Sequence, residues 1–215
     1  MVAAGNRGTG SGGVSRLDRR WFIYSFAALA AGEVLFALIS GTLDTLGQVA
    51  DMVGHLVTLP LLGAGVLLAQ RRALDLNGGW ASALAVGVAM AVAYIAGYTV
   101  MGPPFDFLLS IVVLGLACGV SHWRSLRGRV NGAAWSVAAL GVGYAVGAAA
   151  GVAAAIAFGT PVNNFFGGKV TGFMGVVGML GIIAAAVGAL ISGAGMARIL
   201  GAPDVGELRP GTAAD

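Results

Sequence analysis

The feature that most constrains this chain is a set of apolar runs longer than the roughly 18 residues that mark a membrane crossing. The stretch "GWASALAVGVAMAVAYIAGYTVM", residues 79–101, carries no charged side chain. Runs of this kind recur six times, at Trp21–Ser40, Gln48–Ala69, Gly79–Met101, Pro104–His122, Ala134–Phe158 and Thr171–Leu200. At helical rise each is long enough to cross a hydrocarbon core of about 30 Å, some with tilt. Charged residues make up 10% of the sequence and mean hydropathy is +0.89. A soluble domain carries about a quarter charged residues. The expected fold is an all-α, polytopic membrane protein: one bundle of six transmembrane helices and no second domain.

Threading follows from arginine placement. Arg16, Arg19 and Arg20 precede the first span, Arg71 and Arg72 follow the second, and Arg124, Arg127 and Arg129 follow the fourth. Arg198 closes the sixth and Arg209 lies in the tail. The alternate connections, "GTLDTLGQ", "GPP" and "GTPVNNFFGGKVT", hold Lys169 and no arginine. The positive-inside rule then puts both termini in the cytoplasm of a cell membrane. The net charge of +3 follows this pattern, so it signals topology and not nucleic-acid binding. Residues 1–15 are Gly/Ser-rich and, with 201–215, are expected to be flexible cytoplasmic segments. The first span is too long for a signal-peptide core and reads as the first helix. The single cysteine, Cys118, lies in an apolar run and reads as packing.

Odd-numbered spans begin near a tryptophan, at Trp21, Trp80 and Trp135, and end at Gly41, Gly102 and Gly159. Asn77 and Asn131 lead two similar segments, "NGGWASALAVGVAMAVA" and "NGAAWSVAALGVGYAVG". This pattern suggests three tandem helical hairpins, although interface tryptophans and turn glycines would also produce much of it. Glycine, at 37 residues, recurs within spans: Gly115 and Gly119 in the fourth, Gly143, Gly147 and Gly151 in the fifth, and Gly181, Gly188 and Gly195 in the sixth. Such rows predict helix faces stripped of side chains, where two backbones approach closely. Facing outward, a row would serve a homo-oligomer or other membrane subunits, the partners expected besides the lipid bilayer.

Ionisable groups within a span cost about 2.5–3.5 kcal/mol each on insertion scales, so each needs a reason. Glu33 lies deep in the first span, Asp51 and His55 share one face of the second, and Asp106 opens the fourth. Glu33 and His55 fall at similar depths on helices joined by a short loop, so the two could meet. Tyr94 and Tyr98 lie four apart in the outer half of the third span, and Thr58 continues the Asp51–His55 face. These residues predict a polar pocket in the outer half, lined by Glu33, Asp51, His55, Tyr94, Tyr98 and Asp106. Carboxylates beside an imidazole can share a proton or hold a cation.

Other chemistries fit less well. His55 and His122 are expected at opposite ends of the bundle, so they would not grip one haem between them. Glu33, Asp51 and His55 would be a thin metal set, and no cofactor is implied by a motif. Ser192 and His55 lie toward opposite faces, which disfavours an intramembrane serine protease. Asn163 and Asn164 could shape an outer lid or a re-entrant turn, although an ordinary loop has the same composition. The leading expectation is binding or transport of a small solute or ion, with proton coupling as an option and no catalytic residue. The alternatives are a non-catalytic subunit or sensor and, behind it, a redox or hydrolytic enzyme. In size and topology the chain resembles the substrate-binding membrane components of vitamin-uptake transporters, and that resemblance implies no particular site residue.

Overall fold

The computed structural model describes residues 12–44, 46, 48–102, 105–165 and 169–201. Among these, the side chains of 12–18, 40–41, 43–44, 48–52, 107, 163, 169–175 and 177 lie outside the description. The described chain forms six α-helices and no strand: α1 (Gly12–Asp44), α2 (Gln48–Ala73), α3 (Trp80–Val100), α4 (Phe105–Leu126), α5 (Trp135–Phe165) and α6 (Lys169–Leu200). Each is long and apolar enough to cross a membrane. The protein is therefore membrane-embedded, and its exposed side chains include the apolar Leu35, Val57, Val92 and Ile156.

Each helix packs on the next, and α1 packs on α6, so the helices close into a ring. Inside the ring α2 also touches α4. Among the described residues no such inner contact joins α6 to α2 or α4, so there the three hairpins are not packed equivalently about the centre. The α1 stretch at Trp21 lies beside α6 at Gly193, near the end of that helix; farther along, Glu33 meets Gly181. One end of the bundle thus gathers Arg19, Arg20, Arg71, Arg72, Arg124, Arg127, Arg129 and Arg198. It is called the arginine-rich end below.

Small residues set the helix separations. A Cβ at Gly143 would lie 2.8 Å from the Ser192 nitrogen, one at Gly147 2.5 Å from the Ala184 carbonyl, and one at Gly151 2.6 Å from the Leu180 carbonyl. Steps of four along α5 therefore meet steps of four along the antiparallel α6. Gly115 and Gly119 bring α4 equally close to α5, at Leu140, Tyr144 and Val137. The α6 glycines divide between two neighbours: Gly188 and Gly195 face α5, whereas Gly181 faces α1. Gly63 and Gly87 form a further close approach, between α2 and α3, where the Pro60 backbone rests on Gly87.

Several boundaries differ from expectation. The first helix starts at Gly12, within the segment expected to be flexible. The fifth continues through Pro161 to Phe165, into the expected outer connection. Proline fixes a helix-compatible φ but removes one N–H bond and crowds the carbonyl four residues back, and membrane helices tolerate both more readily than soluble ones. Pro60 likewise sits inside α2 without ending it. The Asn–Gly echo has a backbone reason, since Gly78, Gly79 and Gly132 all adopt positive φ in the turns leading into α3 and α5. Of the expected outer lid, Asn164 is exposed in the last turn of α5, and the Asn163 side chain lies outside the described residues.

Candidate functional site

Two clusters and one separate acid stand out among the described polar side chains. In the half away from the arginine-rich end, α1, α2 and α3 bring Phe36, His55, Tyr94 and Tyr98 together. The His55 ring stacks on Tyr94 with centroids 4.8 Å apart and meets Phe36 edge-on at 4.6 Å. Tyr94 stacks in turn on Tyr98 at 6.4 Å. His55 is buried, Tyr94 is half-buried and Tyr98 is exposed, so the stack runs from the ring interior to its surface. The expected association of His55, Tyr94 and Tyr98 thus exists as an aromatic ladder, with Phe36 as a member the sequence reading did not include. Thr58 is spent locally, its hydroxyl donating to the Gly54 carbonyl at 2.8 Å.

Glu33 stands apart from this ladder. Glu33 and Phe36 are three residues apart on α1, yet Phe36 turns to His55 while the Glu33 side chain lies on Gly181 of α6. The meeting of Glu33 with His55 is therefore not formed. Glu33 is 2% exposed, and no described residue hydrogen-bonds or pairs with its carboxyl group. Gly181 makes the space for it: a Cβ there would lie 2.6 Å from the Glu33 Cγ. Asp106 is buried in the first turn of α4, with its backbone against Gly97 of α3. Asp51 belongs to α2, and its side chain lies outside the described residues. Among the described residues no group of three His, Cys, Asp or Glu side chains is arranged to hold a metal ion.

The second cluster lies in the arginine-rich half and was not anticipated. Five helices contribute: Trp21 from α1, Gln70 from α2, His122 from α4, Tyr144 from α5 and Ser192 from α6, all fully buried. The Gln70 amide donates to the Tyr144 hydroxyl at 2.6 Å and accepts from His122 Nε2 at 3.1 Å. This assignment makes His122 the Nε2–H tautomer and leaves Nδ1 as an acceptor with no partner. The Trp21 indole donates to Ser192 Oγ at 3.2 Å and meets the His122 ring edge-on at 5.5 Å. The hydroxyls of Ser25 and Ser121 are also buried without a partner. One buried face of α1 carries Trp21, Ser25, Leu29 and Glu33, which places Glu33 about 18 Å above Trp21 at helical rise.

At the arginine-rich end Arg71 is buried and locked by three acceptors: the Gly78 carbonyl at 2.9 Å, the Asn77 carbonyl at 3.2 Å and Ser125 Oγ at 2.9 Å. Arg20 and Asp75 form an exposed two-bond pair, each bond 3.0 Å. The Arg20 hydrogen bonds, and then its charge, hold the Asp75 carboxyl below the ordinary carboxylate value. This pair ties α1 to the α2–α3 turn.

Comparison of the chain with protein-family models, with curated proteins and with solved structures finds no significant match.

Proposed function

We propose that this protein binds and passes a small cation, the proton included, across the membrane, with Glu33 as the central binding group. The observation that carries this reading is Glu33, a residue 2% exposed whose side chain lies against Gly181 on the α1–α6 seam with no described partner for its carboxyl group. A carboxylate in hydrocarbon is costly unless it is neutralised or paired. Packing alone would place an apolar residue against Gly181, whereas a carboxyl there meets its cost by taking a proton or a cation. The ladder of Phe36, His55, Tyr94 and Tyr98, separate from Glu33, adds aromatic groups in the half away from the arginine-rich end. Its aromatic faces attract cations, and it runs inward from an exposed tyrosine. Ser25 and the Trp21–Gln70–His122 group supply buried hydroxyl, amide and imidazole functions toward the arginine-rich end. By the positive-inside rule that end faces the cytoplasm.

One observation favours a second reading, that of a non-catalytic subunit or sensor. The buried polar network ties five helices together, and a network of this kind specifies one packing of a bundle. Purified protein in liposomes separates the two readings. Under the first, Glu33→Gln abolishes cation flux and leaves the fold intact. Under the second, no flux is present in either protein, and the network variants act on stability alone.

A further inference from the structure

A groove between α5 and α6 at the arginine-rich end belongs to neither cluster. It encloses about 470 Å³ and is open on the outside of the ring. Its floor is made of small and apolar residues, including Ala138 and Val142 of α5 and Gly195 of α6. Gly195 lets the helices close at the bottom, since a Cβ there would lie 2.6 Å from the Ala139 Cβ. Trp135 and Arg198 stand at the groove, and both are exposed.

We propose that this groove binds an anionic glycerophospholipid, with an acyl chain against Ala138 and Val142 and the phosphate on Arg198. Trp135, Ala138 and Val142 lie on one face of α5, and the trough they line runs about 10 Å from Trp135 to Val142 at helical rise. Tryptophan at a helix end marks headgroup level, so the trough runs from headgroup level into the acyl region. At its upper end the Arg198 guanidinium has no carboxylate partner among the described residues. The adjoining turn adds exposed Arg127 and Arg129, and residues 124–135 contain no acid. A fixed positive charge above an apolar trough is complementary to an anionic amphiphile. Arginine also suits a phosphate because its planar donors pair two oxygens at once. A free anion would leave the trough unused, and a zwitterionic lipid would bring its own cation beside Arg198.

The test uses purified full-length protein in detergent, titrated with short-chain phosphatidylglycerol, phosphatidylcholine or inorganic phosphate. Binding is followed by native mass spectrometry and by the thermal midpoint. The expected result is tighter binding of phosphatidylglycerol than phosphatidylcholine, with a raised midpoint, and no midpoint change with phosphate. Arg198→Gln should weaken phosphatidylglycerol about tenfold and leave phosphatidylcholine unchanged. Ala138→Trp should fill the trough and exclude both lipids. Equal binding of the two lipids, or an Arg198→Gln protein that binds phosphatidylglycerol like the wild type, would overturn the proposal. Stabilisation by phosphate alone would also overturn it, as would a concentration-dependent dimer abolished by Ala138→Trp, which would assign the groove to a second copy. Should Ala138→Trp fail to fold, Arg198→Gln decides the question by itself.

Discussion

Replacing Gly147 by alanine adds one methyl group where α5 and α6 are in backbone contact. The new Cβ would lie 2.5 Å from the Ala184 carbonyl oxygen, 2.8 Å from the Gly188 nitrogen and 3.0 Å from the Gly188 Cα. All three neighbours are backbone, so no side chain can swing aside. Reaching ordinary van der Waals separation requires the helices to part locally by about 0.9 Å. That opening loosens Gly143 and Gly151 on the same seam. Overpacking of this kind costs about 1–3 kcal/mol. At about 2–4 °C per kcal/mol for a chain of this size, the thermal midpoint should fall by about 2–12 °C. Gly65 is the matched control, a glycine inside α2 with nothing within 4 Å of its would-be Cβ. Alanine there removes the glycine penalty in a helix and should raise the midpoint by about 1–4 °C. The assay is thermal unfolding of both variants in one detergent, followed by tryptophan fluorescence. A Gly147→Ala protein as stable as Gly65→Ala would refute the claim that backbone contact at this seam sets the bundle.

Three further outcomes are expected. Gln70→Leu removes the partner of both the His122 Nε2–H and the Tyr144 hydroxyl, and stranding buried polar groups costs about 1–3 kcal/mol each, read as a lower midpoint in the same assay. The Asp75 carboxyl is held below its unfolded value by Arg20, so its contribution to stability is present above the unfolded carboxylate value and lost as pH falls through the folded one. A pH series comparing wild type with Asp75→Asn should therefore converge at acid pH, with a small difference at neutral pH because the pair is exposed. Gly79→Ala combines a positive φ of 96° with a Cβ 2.5 Å from the Arg71 Nε, so it should displace Arg71 and expose the α2–α3 turn to limited proteolysis.

The six helices were legible because lipid imposes length and apolarity on each segment by itself, without reference to the others. The ends were less so. Pro161 falls in the expected connection after the fifth span, yet α5 passes through it because membrane helices tolerate the missing donor. Glu33 was legible as the deep acid, since charge at that depth is conspicuous on any helix. Its neighbour was not, because a rotation of α1 decides whether residue 33 faces α2 or α6, and α6 arrives from the other end of the sequence. The Trp21–Gln70–His122–Tyr144–Ser192 group was hidden for the same reason. Each member is an ordinary residue in its own span, and only ring closure brings five helices to one place. His122 was visible in the sequence, and its placement near Arg124 suggested the arginine-rich end, but its partner Gln70 lies 52 residues away.

The central claim is that Glu33 works as a cation site and is not a packing residue. Its most direct test is flux into liposomes carrying the wild-type protein, Glu33→Gln or Glu33→Asp, with a trapped pH-sensitive dye and, in parallel, trapped indicators for sodium and potassium. Flux of one of these cations is expected in the wild type, with partial flux in Glu33→Asp and none in a folded Glu33→Gln. Equal flux in wild type and Glu33→Gln, or no flux of any of the three cations in the wild type, would contradict the claim.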